Sequence, residues 1–158
     1  MAELEYAFLA DAADAQPGQK FAVIGGGVSR IGGPGFPLRH PHLAMVVGLL
    51  VEPREFGREH ELRFAVDTPE GDELSGASAV IRADGSPDSR DAVLTFSLDL
   101  WNLVFPTPGD YSIRITIDGE ERKQIPLVIE QYEVQGTEGV DPGARPLVPP
   151  FPPPTGQA

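Results

Sequence analysis

Apolar side chains alternate with polar ones along much of this chain, and the period is two. From Ala92 to Leu100, the residues Ala92, Leu94, Phe96, Leu98 and Leu100 alternate with Val93, Thr95, Ser97 and Asp99. An extended, pleated backbone turns that pattern into one apolar face. A helix would scatter the same large side chains around its axis. Tyr111, Ile113, Ile115 and Ile117 repeat the alternation, Asp118-Gly119 interrupts it, and Ile125, Leu127 and Ile129 resume it. Asp-Gly between two such runs predicts a tight hairpin, whose central residues need positive φ. Pro126 has no ladder donor, so the returning strand is expected at an edge or kinked near its start.

Leu62, Phe64 and Val66 form a further alternating run that stops at Thr68-Pro69-Glu70-Gly71. Leu43 to Glu52 is apolar on both sides, which suits a central strand covered on both faces or a strand passing under a loop. Tyr6–Ala10, Phe21–Ile24 and Ala77–Ala83 complete a set of about eight short strands. No segment has a helical period, and Asp11 to Ala15 has room for one helical turn at most. Without a βαβ pattern the strands are expected to be antiparallel and packed as two sheets. Leu103-Val-Phe-Pro-Thr-Pro-Gly109-Asp-Tyr111 is similar to the tyrosine corner of immunoglobulin-like sandwiches, where a Tyr opening a strand turns its hydroxyl back onto the preceding connection. The expected fold is therefore all-β, an antiparallel immunoglobulin-like β-sandwich over residues 1–132. The Cys…Trp…Cys spacing of antibody domains is absent, and Trp101 is expected to cap the core near a strand end.

Beyond Tyr132 the alternation ceases. Residues 133–158 run through Gly136, Gly139, Pro142 and Gly143 into Arg145-Pro-Leu-Val-Pro-Pro-Phe-Pro-Pro-Pro154. Too little apolar surface remains to offset the entropy of ordering, so a disordered proline-rich tail with polyproline II character is expected. The formal charge of −12, from 24 acidic and 12 basic residues with no clustered Lys/Arg stripe, argues against nucleic-acid binding. There are no cysteines, which removes disulfides and thiolate metal sites and suits a reducing compartment. Met-Ala-Glu-Leu-Glu-Tyr carries no basic, apolar export leader. The longest apolar run, Leu43 to Val51, is far shorter than the roughly 20 residues of a membrane helix. A cytoplasmic, non-membrane protein is the expectation.

Candidate chemistry is sparse. Gly25-Gly-Gly27-Val-Ser-Arg-Ile-Gly32-Gly33-Pro-Gly35 has the Gly27 to Gly32 spacing of a phosphate loop, but Gly33 and Pro34 stand where Lys and Ser/Thr belong, and no helix follows. It reads as a flexible connection that could serve as a mobile binding loop. Arg39, His40 and His42 share one short segment and His60 lies in Gly57-Arg-Glu-His60-Glu. His-x-His on a regular strand shares a face, but Pro41 intervenes, and a metal needs three or four converging ligands. They form a candidate loop site without an assigned metal or cofactor. Asp67-Thr-Pro-Glu-Gly-Asp72-Glu departs from a calcium loop and reads as solvated turn acids. In the tail, Pro146-x-x-Pro149 and Pro149-x-x-Pro152 have the spacing read by aromatic grooves, with Arg145 as a charge anchor and Pro150 and Phe151 between. A passive solubilising tail is the alternative.

Tyr6-Ala-Phe8-Leu-Ala-Asp11, Glu59-His60-Glu-Leu62, Asp67 to Gly71 and Gly109-Asp-Tyr111…Asp118-Gly119 together resemble an uncharacterised bacterial family of small β-sandwich domains, over roughly residues 4–130. The resemblance implies the fold and brings no catalytic residue. The functional expectation is a non-enzymatic interaction module with an unknown protein partner. The alternatives are a structural subunit of a larger bacterial or phage-like assembly, or a small-ligand binder or enzyme with its site in loops 25–42 and 53–60.

Overall fold

The computed structural model describes residues 2–85 and 90–134. One sheet has the order β2 (Ala22–Gly26), β1 (Glu3–Asp14), β4 (Leu38–Val51), β7 (Ala92–Phe105). The second has the order β3 (Arg30–Gly33), β9 (Glu120–Gln131), β8 (Gly109–Ile117), β5 (Glu59–Asp67), β6 (Glu73–Arg82). The alternation read from the sequence decides which side chains turn inward. Leu43, Met45, Val47, Leu49 and Val51 of β4 join Leu62, Phe64 and Val66 of β5 and Ile113, Ile115 and Ile117 of β8 in one apolar cluster. Each such side chain taken fully out of water contributes about 1.5–3 kcal/mol.

β4 is central and buried on its second face as well. Ala44 and Val46 are fully buried yet lie outside the core cluster. They are covered by the end of β1, which pairs with β4 only as far as Ala10↔Ala44 and then crosses to the other side of that strand. There the Ser97 amide of β7 donates to the Ala15 carbonyl (3.2 Å), and the Ala15 amide donates to the Ser97 hydroxyl (3.3 Å). Asp11 to Asp14 therefore extends β1 and forms no helical turn. Further along the same face the Tyr6 ring lies on Gly48 and hydrogen-bonds Thr95. A Cβ at position 48 would come within 2.4–2.7 Å of that ring, so the contact requires glycine.

Two features depart from the sequence expectation. The glycine-rich connection contains a ninth strand, β3, and its pairing with β9 is parallel rather than antiparallel, in the register Arg30↔Val128 to Gly33↔Gln131. Ile31 alone anchors β3 in the core, too little apolar alternation for a sequence signal. Pro126 sits inside β9, close to the register irregularity between Glu121 and Lys123 near the start of that strand, in keeping with the kink expected there. β3 pairs only from Val128 onward, so Pro126 occupies a stretch of β9 whose outer side is unpaired.

The turns follow the local chemistry. The Tyr111 hydroxyl, on a buried ring, donates to the Thr107 carbonyl at 2.9 Å, and the ring meets Phe105 edge-on with centroids 5.1 Å apart. Asp118 and Gly119 connect β8 to β9 with φ of 50° and 82°. The Asp118 carboxylate also reaches β5, accepting from the Glu61 amide (2.9 Å) and the His60 Nδ1 (2.8 Å), while the Asp118 amide donates to the Glu61 carbonyl (2.9 Å). Burial acts to raise the Asp118 pKa, but the bonds from His60 and Glu61 and the nearby positive charges of His60 and Arg122 outweigh it and hold it below the ordinary aspartate value.

Two outcomes follow from these turns. Tyr111→Phe removes the donor of this part-buried bond to the Thr107 carbonyl and is expected to lower unfolding free energy by about 0.5–1.5 kcal/mol, read from urea midpoints. A depressed carboxyl pKa stabilises the fold above the unfolded-state value and loses that contribution as pH falls through the folded one. Wild-type stability is therefore expected to drop below about pH 4. Asp118→Asn, which tolerates the positive φ, flattens that part of the curve in urea titrations at stepped pH.

Candidate functional site

The one place where the β4–β7 ladder changes face makes the most distinctive surface of the molecule. Leu100 and Leu103 are both buried in the core, although strict alternation cannot turn residues three apart the same way. The pairs His40↔Leu103 and His42↔Trp101 keep one register across the site, with no bridge recorded between Pro41 and Asn102. Pro41 has no amide to give, and Asn102 adopts φ of 53°, a left-handed conformation that asparagine accepts more readily than most residues. The twist between them re-aims the strand. Leu103 and Phe105 return to the core and Trp101 is turned out, 64% exposed. Trp101 is thus no cap on the core, contrary to the sequence expectation.

His42 holds the indole. Its ring centroid lies 4.1 Å from that of Trp101, with the planes inclined at 35°. Its Nδ1 is 2.8 Å from the Asp11 carbonyl and its Nε2 is 2.6 Å from Asp99 Oδ1. Both oxygens accept only, so a ring with a proton on each nitrogen completes both bonds. Asp11 supplies its carbonyl where β1 leaves β4, which ties the aromatic pair to the crossing of β1. Pro41 and Asn102, the chain neighbours of His42 and Trp101, line an open groove of about 340 Å³ with Arg39 and His40. The His40 Nε2 is buried without a hydrogen-bond partner. Burial chiefly depresses the His40 pKa, aided by the His42 charge and opposed by the His42 backbone and Asp11.

The candidate residues divide between the sheets. Arg39, His40 and His42 gather at the twist in β4, whereas His60 lies buried in β5 and is engaged by Asp118. Among the described residues no group of three or more His, Asp or Glu side chains is spaced to hold a metal ion. The acids near 67–73 are not all solvated turn residues. Asp67 is buried and accepts from Arg114 at 3.0 Å, and Glu73 takes a two-oxygen contact from Arg63 at 2.6 and 2.8 Å. The segment 25–35 is ordered by β2 and β3 on either side of Gly27–Ser29. Arg145, Pro146, Pro149, Pro150, Phe151 and Pro152 lie outside the described residues. No described helix is long and apolar enough to cross a membrane.

Sequence reasoning missed the alliance of Asp99, His42 and Trp101. Alternation places Asp99 and Trp101 two apart on β7, but only the register His42↔Trp101 brings the histidine between them.

No curated protein matches the chain. Among solved structures, the chain is similar to the C-terminal domain of Wzt at 12% identity and a TM-score of 0.46, over 83% of this chain and 74% of that one. It is also similar to Pseudomonas fluorescens alkylpurine DNA glycosylase AlkC, bound to DNA containing an abasic site analog, at 9% identity and a TM-score of 0.43. That match covers 82% of this chain and spans 30% of the glycosylase chain. The profile of a family of unknown function, DUF6941, matches residues 5–130, and the chain belongs to that family.

Proposed function

We propose that this chain is a non-enzymatic protein-recognition module whose contact face is centred on Trp101. The carrying observation is an indole left 64% exposed on a strand, yet fixed from beneath by a histidine with two hydrogen bonds of its own. An exposed indole is poorly solvated, and tryptophan on a rigid support loses little entropy on binding, which is why it recurs at the energetic centres of protein interfaces. Val104, more than a third exposed, extends the apolar surface along β7. The setting proposed for this face is an immunoglobulin-like sandwich of a cytoplasmic bacterial protein. Two sheets on one core and the Tyr111–Thr107 bond support the sandwich class, and the lack of cysteine and the acidic composition support the location.

A small-ligand site is the second reading. The groove at Arg39, His40, Pro41 and Asn102, with the unpartnered His40 Nε2 beside it, favours a ligand that offers that nitrogen a donor.

Quantitative affinity capture from the source organism separates the readings. Trp101→Ala is expected to abolish enrichment of the partner, while Val80→Ser, at another exposed apolar position, leaves it intact. A retained partner set with the Trp101 variant overturns the proposal.

A further inference from the structure

We infer that two copies of this chain pair through β6, edge to edge and antiparallel, so that their five-stranded sheets run on as one. This surface belongs to the second sheet and does not depend on the recognition reading centred on Trp101 of the first.

β6 ends its sheet, and its backbone groups can be assigned a direction residue by residue. The Glu61 amide and carbonyl both bond Asp118, on the β8 side of β5. Alternation therefore turns the groups of His60, Leu62 and Phe64 toward β6, onto Ile81, Ala79 and Ala77. The amides and carbonyls of Gly76, Ser78, Val80 and Arg82 consequently point out of the sheet. Among the described residues, no turn or loop backbone bonds any of them. Open edges are commonly guarded by lysine, proline or an inward charge. β6 has no proline, and its charged residues, Glu73 and Arg82, stand at its two ends. Val80, in the middle of the open stretch, is an apolar side chain turned to solvent.

Symmetry names the occupant. A residue whose groups point outward pairs only with another of that kind. A two-fold axis at Ala79 is the one placement along β6 that maps Gly76, Ser78, Val80 and Arg82 onto themselves. Gly76 then faces Arg82 of the second copy and Ser78 faces its Val80, each pair exchanging two hydrogen bonds. Charge follows the same register. The Glu73 carboxylate, fixed by Arg63, lies 2.9 Å from where a Cβ at position 76 would stand. Arg82 is 58% exposed and makes only a loose contact with Asp84, at 3.6 Å. Because Gly76 leaves the space opposite Arg82 open, the guanidinium of one copy meets the Glu73 carboxylate of the other, and the two-fold repeats the contact.

Sedimentation equilibrium of the full-length protein at stepped concentration is expected to show the 16.9 kDa chain passing to twice that mass. Ser78→Pro removes an outward amide and leaves the β5 ladder intact, and Val80→Lys keeps every backbone donor while placing a charge on the edge. Each is expected to weaken association by roughly ten-fold or more. If the proline variant does not fold, the lysine variant decides. The register has its own readout, since the chain has no cysteine. Across the axis Ala79 meets its own copy in a non-hydrogen-bonded pair, with Cα atoms about 4.5 Å apart, within disulfide range. Ala79→Cys is expected to cross-link on mild oxidation, whereas Ala77→Cys, about 13 Å from its copy, is not. A single-chain mass at every concentration overturns the inference, as does a dimer indifferent to both edge variants. Equal cross-linking at 77 and 79 also overturns it. A monomer that loses a captured protein on Ser78→Pro assigns the edge to a foreign strand and overturns self-pairing.

Discussion

A strand buried on both faces can turn no polar side chain to water along its covered length, and β4 imposes that constraint on the rest of the molecule. Its inward residues fix the partner sheet through Phe64 and the isoleucines of β8, and its outward residues, Ala44 and Val46, demand a lid. The end of β1 supplies the lid. Small side chains at Ala10, Ala44 and Gly48 allow that close cover, and Tyr6 fills the room that Gly48 leaves. Where the cover stops, at His42, the strand also stops being apolar. The aromatic pair is therefore built at the margin of the lid, with β1's Asp11 carbonyl as one of its supports.

The parts of the fold legible in the sequence are those where alternation and turn chemistry agree. Ala92–Leu100, the β8 isoleucines, Asp118-Gly119 and Tyr111 each carry a local signal, and the structure places each as the signal requires. β3 was illegible because a four-residue strand with two glycines borrows its pairing from β9. The exposure of Trp101 was hidden for a different reason. Asn102 breaks the alternation without disturbing the register, so the residues on either side still read as one strand. Pro41 was visible as an irregularity, but its matching partner across the ladder was not. The ion pairs of Asp67 and Glu73 likewise depend on Arg63 and Arg114 from adjoining strands, a pairing that no local window contains.

A surface made of strands differs from one made of loops in how much order it already carries. Trp101 and His42 are set by cross-strand pairing and hydrogen bonds, so little ordering is left to occur on contact. With a formal charge of −12 the surrounding field repels acidic partners and leaves local chemistry, more than long-range attraction, to decide what stays.

The fastening of Ala15 to Ser97 has a further effect on how copies of this protein can meet. It occupies a backbone donor of β7, while the outer strands β2 and β3 are only five and four residues long. β7, with fourteen residues, and β6, with ten and no charged side chain from Leu74 to Ile81, are the long edges among the described strands. The crossing of β1 thus interrupts the β7 edge at Ser97 as well as covering a core strand.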